Sequence, residues 1–157
     1  MGVSMQVWYR SRALYETAMK LLKSGRFEDA IKMAEGIPDA SVRSKALNEI
    51  TVEMARQGRD YTEVLNEAIH SALEIQGDGT TKSLMALAFE FLEMGKFKDA
   101  LYIAEHITDL PNRSKVQAEV ALSLARRGDL GEAMRIIDDI LDEDVKTWAL
   151  SRLASEV

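Results

Sequence analysis

The 157-residue chain contains no cysteine. That removes disulfides, thiolate metal ligands and thiol nucleophiles, and it fits a reducing compartment such as the cytoplasm. Proline is nearly absent, with only Pro38 and Pro111, so long stretches are free to be helical. Aromatic residues make up 6% of the chain, which leaves aliphatic side chains and alanine to fill a core. No apolar run approaches the length of a membrane span. The opening MGVSMQVWYR has no hydrophobic h-region, and Gln6 stands where a myristoylation signal needs Ser or Thr. Neither secretion nor membrane attachment is expected. Positive charge is in deficit: the net charge of −6 repels phosphate backbones and disfavours nucleic acid as a partner. Few Asn and Gln, with no Cys, are compatible with a thermophilic source.

Catalytic signatures are missing as well. The chain has no G-x-G-x-x-G, P-loop, G-x-S-x-G or H-E-x-x-H. Its two histidines, His70 and His106, have no third His or Cys at ligand spacing, and the expectation for both is a solvated helix face. The acidic run DDILDED, Asp138 to Asp144, lacks the order of an EF-hand loop and is expected to solvate the surface and start a helix. No nucleophile, base and orienter come together. Neither an enzyme nor a cofactor nor a bound metal is expected.

What the chain does contain is repetition. GRFEDAIKMAEGIPD, Gly25 to Asp39, returns seventy residues later as GKFKDALYIAEHITD, Gly95 to Asp109. Four glycines set the register, Gly25, Gly58, Gly95 and Gly128, at intervals of 33, 37 and 33. Before each glycine runs an i, i+3, i+4, i+7 set: Leu14, Thr17, Ala18, Leu21; Leu47, Ile50, Thr51, Met54; Leu84, Leu87, Ala88, Phe91; Gln117, Val120, Ala121, Leu124. A fifth set closes the chain at Leu150, Leu153, Ala154 and Val157. After each glycine comes another set, opened by Phe27, Tyr61, Phe97 or Leu130 and continued by alanines that allow close helix approach. Each glycine supplies the left-handed residue that ends a helix. The prolines fall between helix pairs. The pattern predicts an all-α chain of roughly four and a half helix–turn–helix repeats, about nine antiparallel helices stacked as an α-α superhelix in a single domain over residues 1–157. Repeat two carries four extra residues, one near GRDY and the rest in SALEIQGDGTT, read as a longer helix with a relaxed link.

These repeats resemble the tetratricopeptide repeat (TPR), whose period is 34 residues. ALYETAMKLLKSGRFEDAIKMAE and SLMALAFEFLEMGKFKDALYIAE carry the likeness best, with Ala18, Ala88, Ala121 and Ala154 at the family's small first-helix position. Phe27 and Phe97 match its aromatic after the turn, and Ala30, Ala100 and Ala133 its second-helix alanine. Aliphatics such as Leu14 and Leu21 replace the usual Trp and Tyr. The repeat-end proline is missing, and the displaced link predicts short second helices.

One constellation is not accounted for by the scaffold. Cations recur near the starts of the first helices, at Arg10, Arg43, Arg113 and Lys146 and, two residues on, at Arg12, Lys45, Lys82 and Lys115. A helix N-terminus disfavours positive charge. For Arg43, Arg113, Lys146 and Lys82, an acid four residues earlier offers an ion pair: Asp39–Arg43, Asp78–Lys82, Asp109–Arg113, Asp142–Lys146. The aspartates can also cap the next helix, and the bases can reach open carbonyls of the preceding one. The resemblance implies that first helices line a concave groove. Its face would then comprise Arg12, Tyr15, Met19, Lys45, Asn48, Val52, Lys82, Met85, Phe89, Lys115, Ala118 and Leu122. That surface suits a protein or peptide partner with acidic groups, bound by a non-enzymatic scaffold in the cytoplasm. A homo-oligomeric module pairing through terminal helices, with Trp8 and Trp148 near the ends, is the alternative. An RNA-binding helical repeat is the weaker third reading, because no repeated base-reading pair accompanies the cations.

Overall fold

The computed structural model describes residues 4–156. Among them lie nine α-helices: α1 (Met5–Lys23), α2 (Phe27–Glu35), α3 (Ala40–Arg56), α4 (Thr62–Leu73), α5 (Gly79–Glu93), α6 (Phe97–Ala104), α7 (Leu110–Arg126), α8 (Leu130–Asp138) and α9 (Glu143–Glu156). No described residue is in a strand. First helices are long and second helices short, except α4 with 12 residues, which takes up part of the insertion in repeat two. Tyr61 does not open α4; it occupies the N-cap position, because the insertion delays helix initiation by two residues relative to Phe27 and Phe97.

The turns follow one geometry. Gly25, Gly58, Gly95 and Gly128 have φ of 79°, 72°, 75° and 90°. Behind them Arg26, Arg59, Lys96 and Asp129 donate backbone N–H groups to the carbonyls of Leu21, Met54, Phe91 and Leu124 at 2.9–3.0 Å. This is the 6→1 bond of a glycine-terminated helix. At Gly95 the lack of a side chain matters twice, since a Cβ there would sit 2.9 Å from the Arg127 guanidinium.

The backbone divides into two compact units, Met1–Ser83 and Leu84–Val157. They match the seventy-residue echo: Gly25, Asp39, Arg43, Ser44 and Gly58 of the first stand where Gly95, Asp109, Arg113, Ser114 and Gly128 stand in the second. In the first unit α1 packs on α2 and α3, and α3 on α4; in the second α7 packs on α6, α8 and α9. Each core is built from the two kinds of stripe. Leu47, Ile50, Leu84, Leu87 and Phe91 from first helices, and Ala30, Ala34, Ala68, Ala100 and Ala133 from second helices, are almost fully buried. Alanine against leucine is small-into-large packing that brings short helices close. Thr17 and Ala154 lie exposed at stripe positions, and Leu150 is 42% exposed. They belong to the first and last helices, and α9 is followed by no second helix among the described residues.

An arginine closes each aromatic seat. Arg59 lies over the Phe27 ring at 4.6 Å and Arg127 over Phe97 at 4.9 Å. Each comes from the following repeat, so this cation–π contact ties neighbouring repeats within a unit.

A second inter-repeat contact is acidic. Glu67 on α4 meets Glu35 at the end of α2. Glu67 Oε2 is buried, with no hydrogen-bond donor to it among the described residues. A proton on one carboxyl is what allows the pair to bond. Burial, then the Glu35 hydrogen bond and the charges of Glu35 and Glu63, raise Glu67 from 4.5 to about 7. Because the folded state holds this proton more tightly than the unfolded chain, the pair's contribution is fully present below the unfolded value and is lost as pH rises through about 7. Urea unfolding at about pH 5.5 and about pH 8 should show this loss, on the order of 1–2 kcal/mol after solvent screening. Glu67→Gln should reduce it; an unchanged pH dependence in that variant would exclude the pair as its source.

Candidate functional site

The cations near each first-helix start separate into two sets with different surroundings. Arg43 turns inward. It donates to the Ile37 carbonyl at 2.7 Å, to the Pro38 carbonyl at 3.3 Å and to Ser71 Oγ at 3.0 Å, and it pairs with Glu74. Arg113 donates to the Ile107 carbonyl at 2.8 Å, and Lys146 to the Asp138 carbonyl at 3.2 Å. These are carbonyls at or just beyond the ends of the preceding second helices. Of the four acid–base pairs expected at spacing i, i+4, Asp78–Lys82 forms, at 3.3 Å. In two others the acid serves as a cap instead: Asp39 accepts from Val42 N at 3.0 Å and Asp142 from Val145 N at 2.9 Å. Asp109 holds Asn112. The division has a simple cause: a cap oxygen must face its own helix N-terminus, whereas the arginine four residues on points back to the previous helix end.

Buried serines complete the links. Ser11 and Ser114, both almost fully buried, accept from the backbone N–H of Asp39 at 3.1 Å and of Asp142 at 3.4 Å. Ser44 bonds Ser83 Oγ at 2.5 Å. In the longer second link Thr80 donates to the carbonyls of Ala72 at 2.7 Å and Ile75 at 3.0 Å. Their trace in the sequence is the Arg-Ser that recurs ahead of Arg12, Lys45 and Lys115.

The second set is exposed. In the first unit Arg12, Lys45 and Lys82 all face solvent. Arg12 lies over the Trp8 ring at 5.4 Å and pairs with Glu16 at 3.1 Å. Lys45 lies over the Tyr15 ring at 5.2 Å. Tyr15 is fixed in turn, its hydroxyl donating to the Glu49 carboxylate at 2.8 and 2.9 Å. Burial, with the Glu49 hydrogen bond and charge, raises the Tyr15 pKa to about 12, so it remains a neutral donor under all ordinary conditions. Asn48 donates to Ser83 Oγ at 3.0 Å, and Met19 is half-buried. Val52 is buried and packs in the core behind that face. Met85 and Phe89 are half-buried, Lys115 is exposed, and Ala118 and Leu122 are core residues.

His70 is exposed, 3.7 Å from Glu74, and a His106 ring nitrogen lies 3.0 Å from the Tyr102 carbonyl oxygen. Among the described residues no group of three or more His, Asp or Glu is placed to hold a metal ion, and no helix is long and apolar enough to cross a membrane. A concavity of about 400 Å³ lies in the second unit between α5, the start of α6 and the end of α7. Its arginines are already engaged: Arg127 stacks on Phe97, and Arg126 bonds Ser123 at 3.3 Å and Glu156 at 3.1 Å.

Over its described residues the chain is an all-α helical repeat in which helix, glycine turn, helix and link recur. It is similar to two crystal structures of nearly identical TPR-like repeats from a protein of Podosopora anserina assigned as a kinesin light chain, one of them a point variant. Each alignment covers 94% of this chain and 86% of the other at 16% identity, with TM-scores of 0.43 and 0.44. No protein-family model and no curated protein matches the chain.

Proposed function

We propose that this chain is a non-enzymatic protein- or peptide-binding scaffold that takes an acidic segment on the face of its first helices. The carrying observation is the split between the two cation sets. Arg43, Arg113 and Lys146 are consumed by carbonyls of the scaffold. Lys45 is exposed, rests on an aromatic ring and has no acidic partner among the described residues. Net charge is positive on the first helices α1, α3 and α7 and negative on the second helices α2, α4 and α8, while α5 and α9 are net negative and α6 is neutral. In the first unit α1 and α3 are thus the net-positive helices of a chain of overall negative charge, and an acidic ligand gains most beside them. Half-buried Met19, in the same unit as Arg12 and Lys45, supplies apolar surface. A cytoplasmic location accompanies this reading, since no thiol chemistry is needed.

The test is an array of acidic peptides probed with the native chain and with Lys45→Glu and Lys82→Glu. Binding is expected to weaken about tenfold for each reversal and to fall with salt. Equal binding by native and reversed chains would reject the face as the site.

A further inference from the structure

Among the described residues, most large apolar side chains left in solvent lie at the two ends of the chain. Met5 (69% exposed), Trp8 (46%) and Tyr9 (60%) belong to α1; Leu130, Leu141 (66%), Trp148 (41%) and Leu150 belong to α8, the link after it and α9. At the first end Met5, Trp8, Tyr9 and Arg12 recur at i, i+3, i+4, i+7 and so form one stripe. Trp8 and Tyr9 meet edge to face at 4.8 Å, and Arg12 lies over Trp8. The helix carrying them is basic, with Arg10, Arg12, Lys20 and Lys23 against Glu16 alone. At the other end exposed Leu141 is flanked in sequence by exposed Asp138, Asp139, Glu143 and Asp144, while Arg152 lies over Trp148 at 5.9 Å.

We propose that copies of this chain associate end to end, the basic aromatic stripe of α1 in one copy docking on the acidic, Leu141-centred segment of the next. The occupant is a second copy because the two ends complement each other in both respects. Each offers exposed apolar surface, and their charges are opposite. Pairing α1 with α1, or the acidic segment with itself, would bring like charges together under a low-dielectric contact, which costs free energy. Only the heterologous arrangement sets basic against acidic. A pair joined by one such contact keeps one free end of each kind, so further copies can add to it. The contact shares Arg12 with the proposed peptide-binding face but uses neither Lys45 nor Lys82, so Lys45→Glu and Lys82→Glu should leave association unchanged.

Sedimentation velocity on the full chain over a wide concentration range tests this. The weight-average mass should rise with concentration through and beyond that of a dimer, and fall on adding salt. Arg10→Glu with Arg12→Glu should abolish association, and so should Asp139→Lys with Asp144→Lys; far-UV circular dichroism checks that both fold. Mixing the two variants should restore growth, because each reversed end then meets its opposite. A native chain that stays monomeric throughout overturns the proposal. So does association untouched by either reversal, or a mixture that remains monomeric.

Discussion

Phe91→Ala is expected to destabilise the protein by about 3–5 kcal/mol, the range for deleting a fully buried aromatic ring. Phe91 is 0% exposed and the largest fully buried side chain. It ends the apolar stripe of α5, and its carbonyl accepts the 2.9 Å bond from Lys96 N that closes the helix at Gly95. The loss has two parts. The ring's transfer from water is forfeited, and the space it leaves is walled by rigid helices that cannot collapse fully. Set against a total stability of about 5–15 kcal/mol, the change removes a large share. At about 2–4 °C per kcal/mol for a chain of this length, Tm should fall by roughly 10–15 °C. Phe91→Leu keeps most of the volume and should cost about 1–1.5 kcal/mol. Phe97→Ala, at a half-buried position roofed by Arg127, should fall between them. Urea unfolding followed by circular dichroism gives the comparison; a Phe91→Ala loss below about 1 kcal/mol would mean that the seat closes over the gap.

Arg43→Met carries the second large effect, about 2–3 kcal/mol. Methionine keeps the apolar stem but leaves the Ile37 carbonyl without its 2.7 Å donor and Glu74 without its cation. An orphaned, partly buried carbonyl costs its full desolvation, which exceeds the net worth of an ordinary hydrogen bond. Arg113→Met, which gives up a single 2.8 Å bond to the Ile107 carbonyl, should cost about 1 kcal/mol. Lys45→Met, two residues from Arg43 and exposed, should stay within about 0.5 kcal/mol. Midpoints of urea unfolding separate the three variants. Equal losses for Arg43→Met and Lys45→Met would remove the distinction between a scaffold cation and a free one.

That distinction was only half legible in the sequence. Arg43 and Lys45 look alike when read along the chain: both are bases near a helix start, where the dipole disfavours them. Reach to the preceding helix's carbonyls was foreseeable, and three of the bases have it. The acid–base pairs at i, i+4 were equally foreseeable, yet of the four only Asp78–Lys82 forms: Asp39 and Asp142 cap their own helices, and Asp109 holds Asn112. Tyr15 was read as a groove residue; its tie to Glu49, 34 positions away, could not be seen until α1 and α3 were side by side. The Glu35–Glu67 contact was invisible for the same reason.

The sequence by itself determined the helices, their glycine turns, the short second helices and the division into repeats. Those features follow from periodicity and backbone conformation within one helix and its neighbouring turn, a range over which residue order dictates geometry. Gly25 and its three counterparts were identifiable because a left-handed residue is needed wherever such a helix must stop and reverse. Only the tertiary structure decided which charges are spent and which are free. Ser11 with Asp39, Arg43 with Glu74, Tyr15 with Glu49 and Arg59 with Phe27 are partners 28 to 34 residues apart. Their meeting depends on how one repeat stacks on the next, and a cation's availability to a partner is what remains after that stacking has claimed its own.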